Sequence, residues 1–161
     1  FWHADLSQIY KALKTLEADG LITSAVQAQD DRPDRRLYTI TADGRANLRD
    51  WLEEPLAGTT PLKETLLLKV FFSAQADRDH LLTQLMIQRE LHRQTLARYQ
   101  GQTLTDIEQN AAFMGATPED ALFWDLTRRA GVLYEEMYLQ WLDEAIMRLK
   151  KRRGKKDQPH P

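Results

Sequence analysis

The 161-residue sequence contains no cysteine. That excludes disulfides, a cysteine nucleophile and every thiolate zinc site, and it fits a reducing, cytoplasmic setting. Histidine is scarce as well. His3, His80, His92 and His160 show neither H-x-x-x-H nor H-E-x-x-H spacing, so no metal site is expected. There is no apolar run of about 18 residues, hence no expected membrane span, and no signal-peptide pattern opens the chain. Neither a Gly-rich phosphate loop nor a set of nucleophile, base and orienting group can be assembled. The carboxylates instead lie along helices as i, i+4 partners would. The reading is a non-enzymatic protein with no cofactor and no membrane partner.

What the sequence does contain is unevenly distributed charge. The net charge is -2, but residues 148–156, RLKKRRGKK, carry seven of the 22 basic residues. Residues 1–147 then hold 15 basic against 23 acidic residues, a net charge of -8. The basic end reads as a solvated, frayed helix terminus whose cations suit the helix dipole, with auxiliary nucleic-acid contact as the other reading. In an otherwise acidic chain, Arg32, Arg35 and Arg36 crowd around the turn-forming pair Pro33–Asp34, as if at a two-residue hairpin tip.

The pattern before that tip explains it. In residues 5–19, Leu6, Ile9, Leu13 and Leu16 recur at steps of three and four, a one-sided helical stripe. Asp5 with Gln8 forms a capping-box pattern, and Gly20 suits the position just past a helix end. Residues 21–27 and 35–40 read as two short strands of a hairpin whose loop centres on Pro33. Thr41 caps a following helix that Pro55 stops. Residues 55–62, PLAGTTPL, form the best linker.

Beyond the linker only helices are expected. These are a short apolar segment over 63–73, a long helix from Asp77 weakened or interrupted at Gly101 or across 101–117, and a last helix opened by Thr117-Pro118-Glu119-Asp120 and running to about Lys151. Apolar residues at 122, 126, 130, 133, 137, 141 and 145 do not keep a heptad, which suggests a packed bundle rather than a coiled coil. Phe71 and Phe72 read as core, and His92 as a helix-surface residue.

Helix, glycine, strand, basic loop, strand and helix together form the second half of a winged helix-turn-helix. In such a module the helix before the hairpin enters the major groove. The stripe of helix 5–19 leaves Ser7, Gln8, Lys11 and Lys14 on the other side with Tyr10 at the boundary, a set able to meet bases and phosphates. Arg32, Arg35 and Arg36 on the wing, residues 27–36, would meet phosphates. Residues 1–51 nonetheless hold seven basic and eight acidic residues, so local placement rather than net charge must attract DNA.

The block FWHADLSQIYKALKTLEADGLI, followed by RPDRRLYTITADGRANLRDWL, resembles the PadR family of bacterial transcriptional regulators. The shared features are an aromatic entry, S-Q-I-Y, L-x-x-L-E-x-x-G-L-I, a basic wing and Y-x-I-T-x-x-G. The resemblance continues into ETLLLKVFFS and RAGVLYEEMYLQWLDEAIMRL, which look like the C-terminal helical domain of the longer members, the type of the virulence activator AphA. It implies a mainly α fold, a winged helix-turn-helix with a two-stranded wing followed by a helical dimerisation domain. It also implies a homodimeric repressor on a palindromic operator, relieved in some members by a small hydrophobic or phenolic effector. Two earlier helices of the family, which would cover the stripe of helix 5–19, are expected to be missing from this sequence.

The expected organisation is a winged-helix domain at 1–54, a linker at 55–62, a helical dimerisation domain at 63–153 and a disordered basic tail at 154–161. Trp124, Leu133, Tyr134, Met137 and Trp141 are the expected dimer interface. The competing reading is a helical protein-interaction module that uses the winged helix for docking and does not bind DNA.

Overall fold

The computed structural model describes residues 5–29, 34–59 and 62–156, with side chains of the last helix described through Lys151. It is mainly helical, with one two-stranded antiparallel sheet among the described residues. It divides into two compact units, residues 1–62 and 63–161.

The first unit contains α1 (Leu6–Ala18), β1 (Ile22–Gln27), β2 (Arg35–Ile40) and α2 (Ala42–Glu53). Helix α1 starts where the Asp5 carboxylate accepts the Gln8 amide at 2.8 Å and the Gln8 side chain accepts the Asp5 amide at 3.4 Å, a complete capping box. It ends in a Schellman motif: Leu21 N–H donates to the Leu16 carbonyl, Gly20 N–H to that of Glu17, and Gly20 sits at φ +71°. Strands β1 and β2 pair from Ile22↔Ile40 to Gln27↔Arg35. That register leaves residues 28–34 between the strands, as the expected strand at 35–40 implies, a longer connection than a two-residue tip at Pro33–Asp34. Arg35 and Arg36 open β2, while Arg32 lies outside the described residues.

The junction of these elements is backbone-tight. Thr41 N–H donates to the Leu21 carbonyl at 3.0 Å, and the Thr41 hydroxyl accepts the Gly44 amide at 3.0 Å to cap α2. A Cβ on Gly44 would lie 2.0 Å from the Leu21 carbonyl oxygen, so only glycine lets α2 approach the end of α1 this closely. The G-L-I and I-T-x-x-G pieces of the motif thus meet in space. Helix α2 ends one residue before Glu54, whose extended backbone is what a residue preceding proline adopts.

The second unit contains α3 (Thr65–Phe72), a 3-10 turn at Ser73–Gln75, α4 (Arg78–Gln100), α5 (Gln102–Met114) and α6 (Pro118–Lys156). The break expected around Gly101 is local. Gly101 ends α4, and the segment after it forms a 13-residue helix of its own, closed by Gly115 in the left-handed region. Helix α6 opens on reciprocal hydrogen bonds between Thr117 and Asp120 and extends to Lys156, past the expected end near Lys151.

Helices α4 and α6 pack antiparallel. At one end Gly131 lies under the Tyr99 ring, and Arg128 donates to the Tyr99 carbonyl near the C-terminus of α4, where a cation is favoured. At the other end Leu66, Leu81, Leu82, Leu85, Tyr138, Leu142 and Ile146 form the core, flanked by Val70, Trp141, Ala145 and Leu149.

Two expectations about this unit are overturned. Phe71 and Phe72 are 80% and 61% exposed and pack edge to face on each other, because α3 buries Leu66 and half-buries Leu67 and Val70 instead. His92 is not a surface residue. Its side chain is 18% exposed, its Nδ1 lies 2.5 Å from the Glu135 carboxylate, and its ring stacks on Tyr138 at 4.1 Å.

Candidate nucleic-acid interface

Helix α1 presents Ser7, Gln8, Tyr10, Lys11 and Lys14 to solvent. Positions 7, 11 and 14 follow a helical spacing of four and three, so Ser7, Lys11 and Lys14 form one row, with Tyr10 beside it. Neither lysine has an ion-pair partner among the described residues. Ser7 and Gln8 are both engaged at the cap: the Ser7 hydroxyl donates to the Asp5 carboxylate at 2.5 Å, and Gln8 closes the box. Those bonds, from the Ser7 hydroxyl first and the Gln8 amide next, hold the Asp5 carboxyl below its ordinary 3.8. A negative charge therefore stands at the N-terminus of α1, beside the two short polar side chains expected to read bases. Leu6, Ile9 and Leu16 of the apolar stripe are exposed, and Leu13 is half-buried.

The hairpin separates the arginines that the sequence grouped together. Strand side chains alternate between faces. Ile22, Ser24, Tyr38 and Ile40, the half-buried positions of the two strands, share one face. Arg36 lies on that face and Arg35 on the other. Arg36 Nε donates to the Ser24 hydroxyl at 3.0 Å, and its guanidinium lies 3.8 Å from the Glu17 carboxylate of α1. Ser24 in turn donates to the other Glu17 oxygen at 2.5 Å. Arg35 has no ion-pair partner among the described residues. Glu17 and Ser24 were not foreseen as members of this surface. The available signal was the period-two alternation that puts Ser24 and Arg36 on one side, but it becomes usable only once the strand register is known.

The second expected site lies on α6. Leu133 and Met137 are 52% and 53% exposed, and Tyr134 is exposed at 41%. Trp124 is half-buried, and half-buried Trp141 packs edge-on against Tyr138 in the core. Leu122 and Leu126 of the apolar series are also exposed, as are Phe123 of α6 and Phe113 of α5, which were not singled out. Positions two apart lie about 200° around a helix. Leu133 and Met137 therefore face away from Glu135, and α6 carries two apolar faces.

A helix capped for surface display, a glycine-locked junction and a two-stranded wing define a winged-helix protein with an appended helical unit. Residues 1–50 match the transcriptional regulator PadR-like family, and residues 62–150 match the family described as virulence activator alpha C-term. A probable transcriptional regulator of Mycobacterium tuberculosis, Rv1176c, is 31% identical over 162 residues, covering 95% of this chain and 84% of the relative. Bacillus subtilis PadR in complex with operator DNA superposes with a TM-score of 0.73 at 26% identity, covering 92% of this chain and 82% of that one. The same protein in complex with p-coumaric acid gives 0.67 at 25% identity over 93% and 81% of the two chains. The Vibrio cholerae virulence activator AphA gives 0.66 at 25% identity over 94% and 82%. The chain belongs to the PadR-like family of transcriptional regulators. Its winged helix and helical unit are those of the family, and the protein-docking alternative is not favoured. No helix among the described residues is long and apolar enough to cross a membrane.

Proposed function

We propose that this protein is a cytoplasmic, homodimeric repressor that binds a palindromic operator through α1 and the wing. The carrying observation is the row Ser7, Lys11 and Lys14, with Tyr10 beside it, displayed on a helix whose cap and end are fixed by local hydrogen bonds. The lysines supply phosphate contacts, while Ser7 and Gln8 at the helix N-terminus supply base contacts, each worth about 1–3 kcal/mol of discrimination. Arg32 and Arg35 add phosphate contacts from the wing. The Bacillus subtilis PadR–operator complex supports the DNA-binding reading by likeness.

Dimerisation through the helical unit supplies the second half-site. The exposed Leu133 and Met137 face of α6, with Tyr134 and Trp141 at its edge, is the surface a second copy covers, whereas half-buried Trp124 lies on the same side of α6 as Glu135 and outside that face. A small phenolic acid is the proposed effector class, supported by the complex of that relative with p-coumaric acid. The test is a titration of the protein with its own promoter region and with random duplex at several salt concentrations, with and without p-coumaric acid. Tight, salt-dependent binding to the promoter that the acid weakens is expected. Equal affinity for both duplexes would reject sequence-specific regulation.

A further inference from the structure

We propose that Arg36 is a positioning residue: its bridge to Glu17 and Ser24 sets the angle between wing and recognition helix, and Arg35 is the wing-strand arginine left to meet phosphate. The proposal rests on the DNA-binding reading above. Three observations carry it. The first is the bridge itself, in which one guanidinium joins β2 to a hydroxyl on β1 and to a carboxylate on α1. The guanidinium also lies 5.9 Å from the Tyr38 ring centre, so three side chains, one each from α1, β1 and β2, converge on it.

The second is the location of Glu17. It sits in the last turn of α1, where the helix dipole disfavours an anion, and no basic residue shares that turn. An anion there also repels a nearby polyanion. Arg36 neutralises it from across the sheet, which gives an otherwise unfavourable charge a function. The third is the pleat, which aims Arg35 to the opposite face, where no described carboxylate competes for it. An ion pair this exposed is individually weak. Its effect lies in direction, since the bridge ties both strands of the hairpin to α1.

Removing Glu17 gives predictions of opposite sign. On charge alone, Glu17→Gln strengthens binding to any duplex. If the bridge positions the wing, Glu17→Gln instead weakens operator binding about two- to five-fold, the range of an exposed pair. Arg36→Gln does the same, and the double variant is no worse than either single one. The salt dependence stays unchanged in all three, whereas Arg35→Gln lowers the log-log slope by roughly 0.9 for one lost phosphate contact. Tighter binding by Glu17→Gln, or a slope loss in Arg36→Gln equal to that in Arg35→Gln, overturns the proposal.

Amide hydrogen exchange of the full-length protein without DNA gives a separate reading. Exchange at Ala25, Leu37 and Thr39, whose amides lie in the hydrogen-bonded pairs of the hairpin, is expected to accelerate in Glu17→Gln and Arg36→Gln alike and to remain unchanged in Arg35→Gln. If the wild type binds no duplex, the DNA-binding reading fails while exchange still decides the bridge. Unchanged exchange in both bridge variants overturns it.

Discussion

The two units are stabilised by different means. Among the described residues of the first, no apolar side chain is buried, and Gly44 is the one buried position. Its geometry is set by caps, a Schellman motif and the Thr41–Leu21–Gly44 junction, all made of backbone groups and short polar side chains. The second unit encloses Leu85 and Leu142 completely and buries a carboxylate, Glu135, against His92. The difference suits the proposed tasks. A surface that meets DNA must keep its polar row outside and hold it at a fixed angle, whereas a unit that joins two copies needs a core rigid enough to present an apolar face.

The largest effect that would sharpen this contrast lies at the buried pair. His92→Ala leaves the Glu135 carboxylate without its partner and should cost about 3–5 kcal/mol, as broken buried pairs do. Replacing both residues by leucine should recover most of the loss. Denaturant unfolding of the full-length protein measures both, and a double variant as unstable as the single one would show that the pair is favourable beyond its own desolvation.

Next comes the exposed face of α6. Leu133→Asp and Met137→Asp together should dissociate the dimer without unfolding the unit, since each apolar side chain of this kind contributes about 1.5–3 kcal/mol when fully covered. Sedimentation with circular dichroism separates the two outcomes. A folded dimer that survives both changes would place the interface elsewhere, with exposed Phe71 and Phe72 the next face to test.

An acid-limb prediction follows from Glu64. Partial burial pushes its carboxyl up, but the Leu66 and Leu67 amides, the Tyr138 hydroxyl and the nearby His92 outweigh that and hold it below 4.5. A depressed folded value means that its contribution is complete above pH 4.5 and is lost as pH falls through the folded value. Tyr138→Phe removes one donor, at 2.9 Å, and should reduce both the stability, by about 1 kcal/mol, and its loss in acid. Unfolding curves between pH 7 and pH 3 would show equal acid slopes if Glu64 played no part.

The smallest expected effect tests the first unit. Asp5→Ala removes the α1 cap and should cost about 1 kcal/mol, while Asp5→Asn, another good cap, should cost little. If Asp5→Asn also strengthens binding to all duplexes, the negative charge at the helix start is a restraint on affinity and not only a cap. Helix stability by amide exchange and duplex titration separate these effects.

The legibility of the two units follows the same division. Asp5 with Gln8, Gly20, Thr41 and Thr117 with Asp120 act on partners three or so residues away, so their types and spacing carry the information by themselves. The strands and their antiparallel pairing were legible from alternation and turn residues. The opposite facing of Arg35 and Arg36 was not, because it follows from the register that sets them opposite Gln27 and Val26.

Burial in the second unit was the least legible. Phe71 and Phe72 are as apolar as anything in the core, yet α3 turns them outward. His92 is polar, yet α4 turns it inward against Glu135 and Tyr138. A run of apolar residues such as TLLLKVFF has no period that selects one face.

The sequence alone therefore determined where α1, the two strands and α2 begin and end and where α6 begins, that a basic wing follows a displayed helix, and which family the motifs resemble. Those features depend on interactions within a few residues along the chain. Only the tertiary structure decided which face of α3 and α4 is inside, that α6 has a buried and an exposed apolar face, and that Arg36 answers Glu17 while Arg35 does not. Each of these depends on residues brought together from distant positions, Arg36 with Glu17 across the hairpin and His92 with Glu135 across two helices, and no local pattern encodes such a meeting.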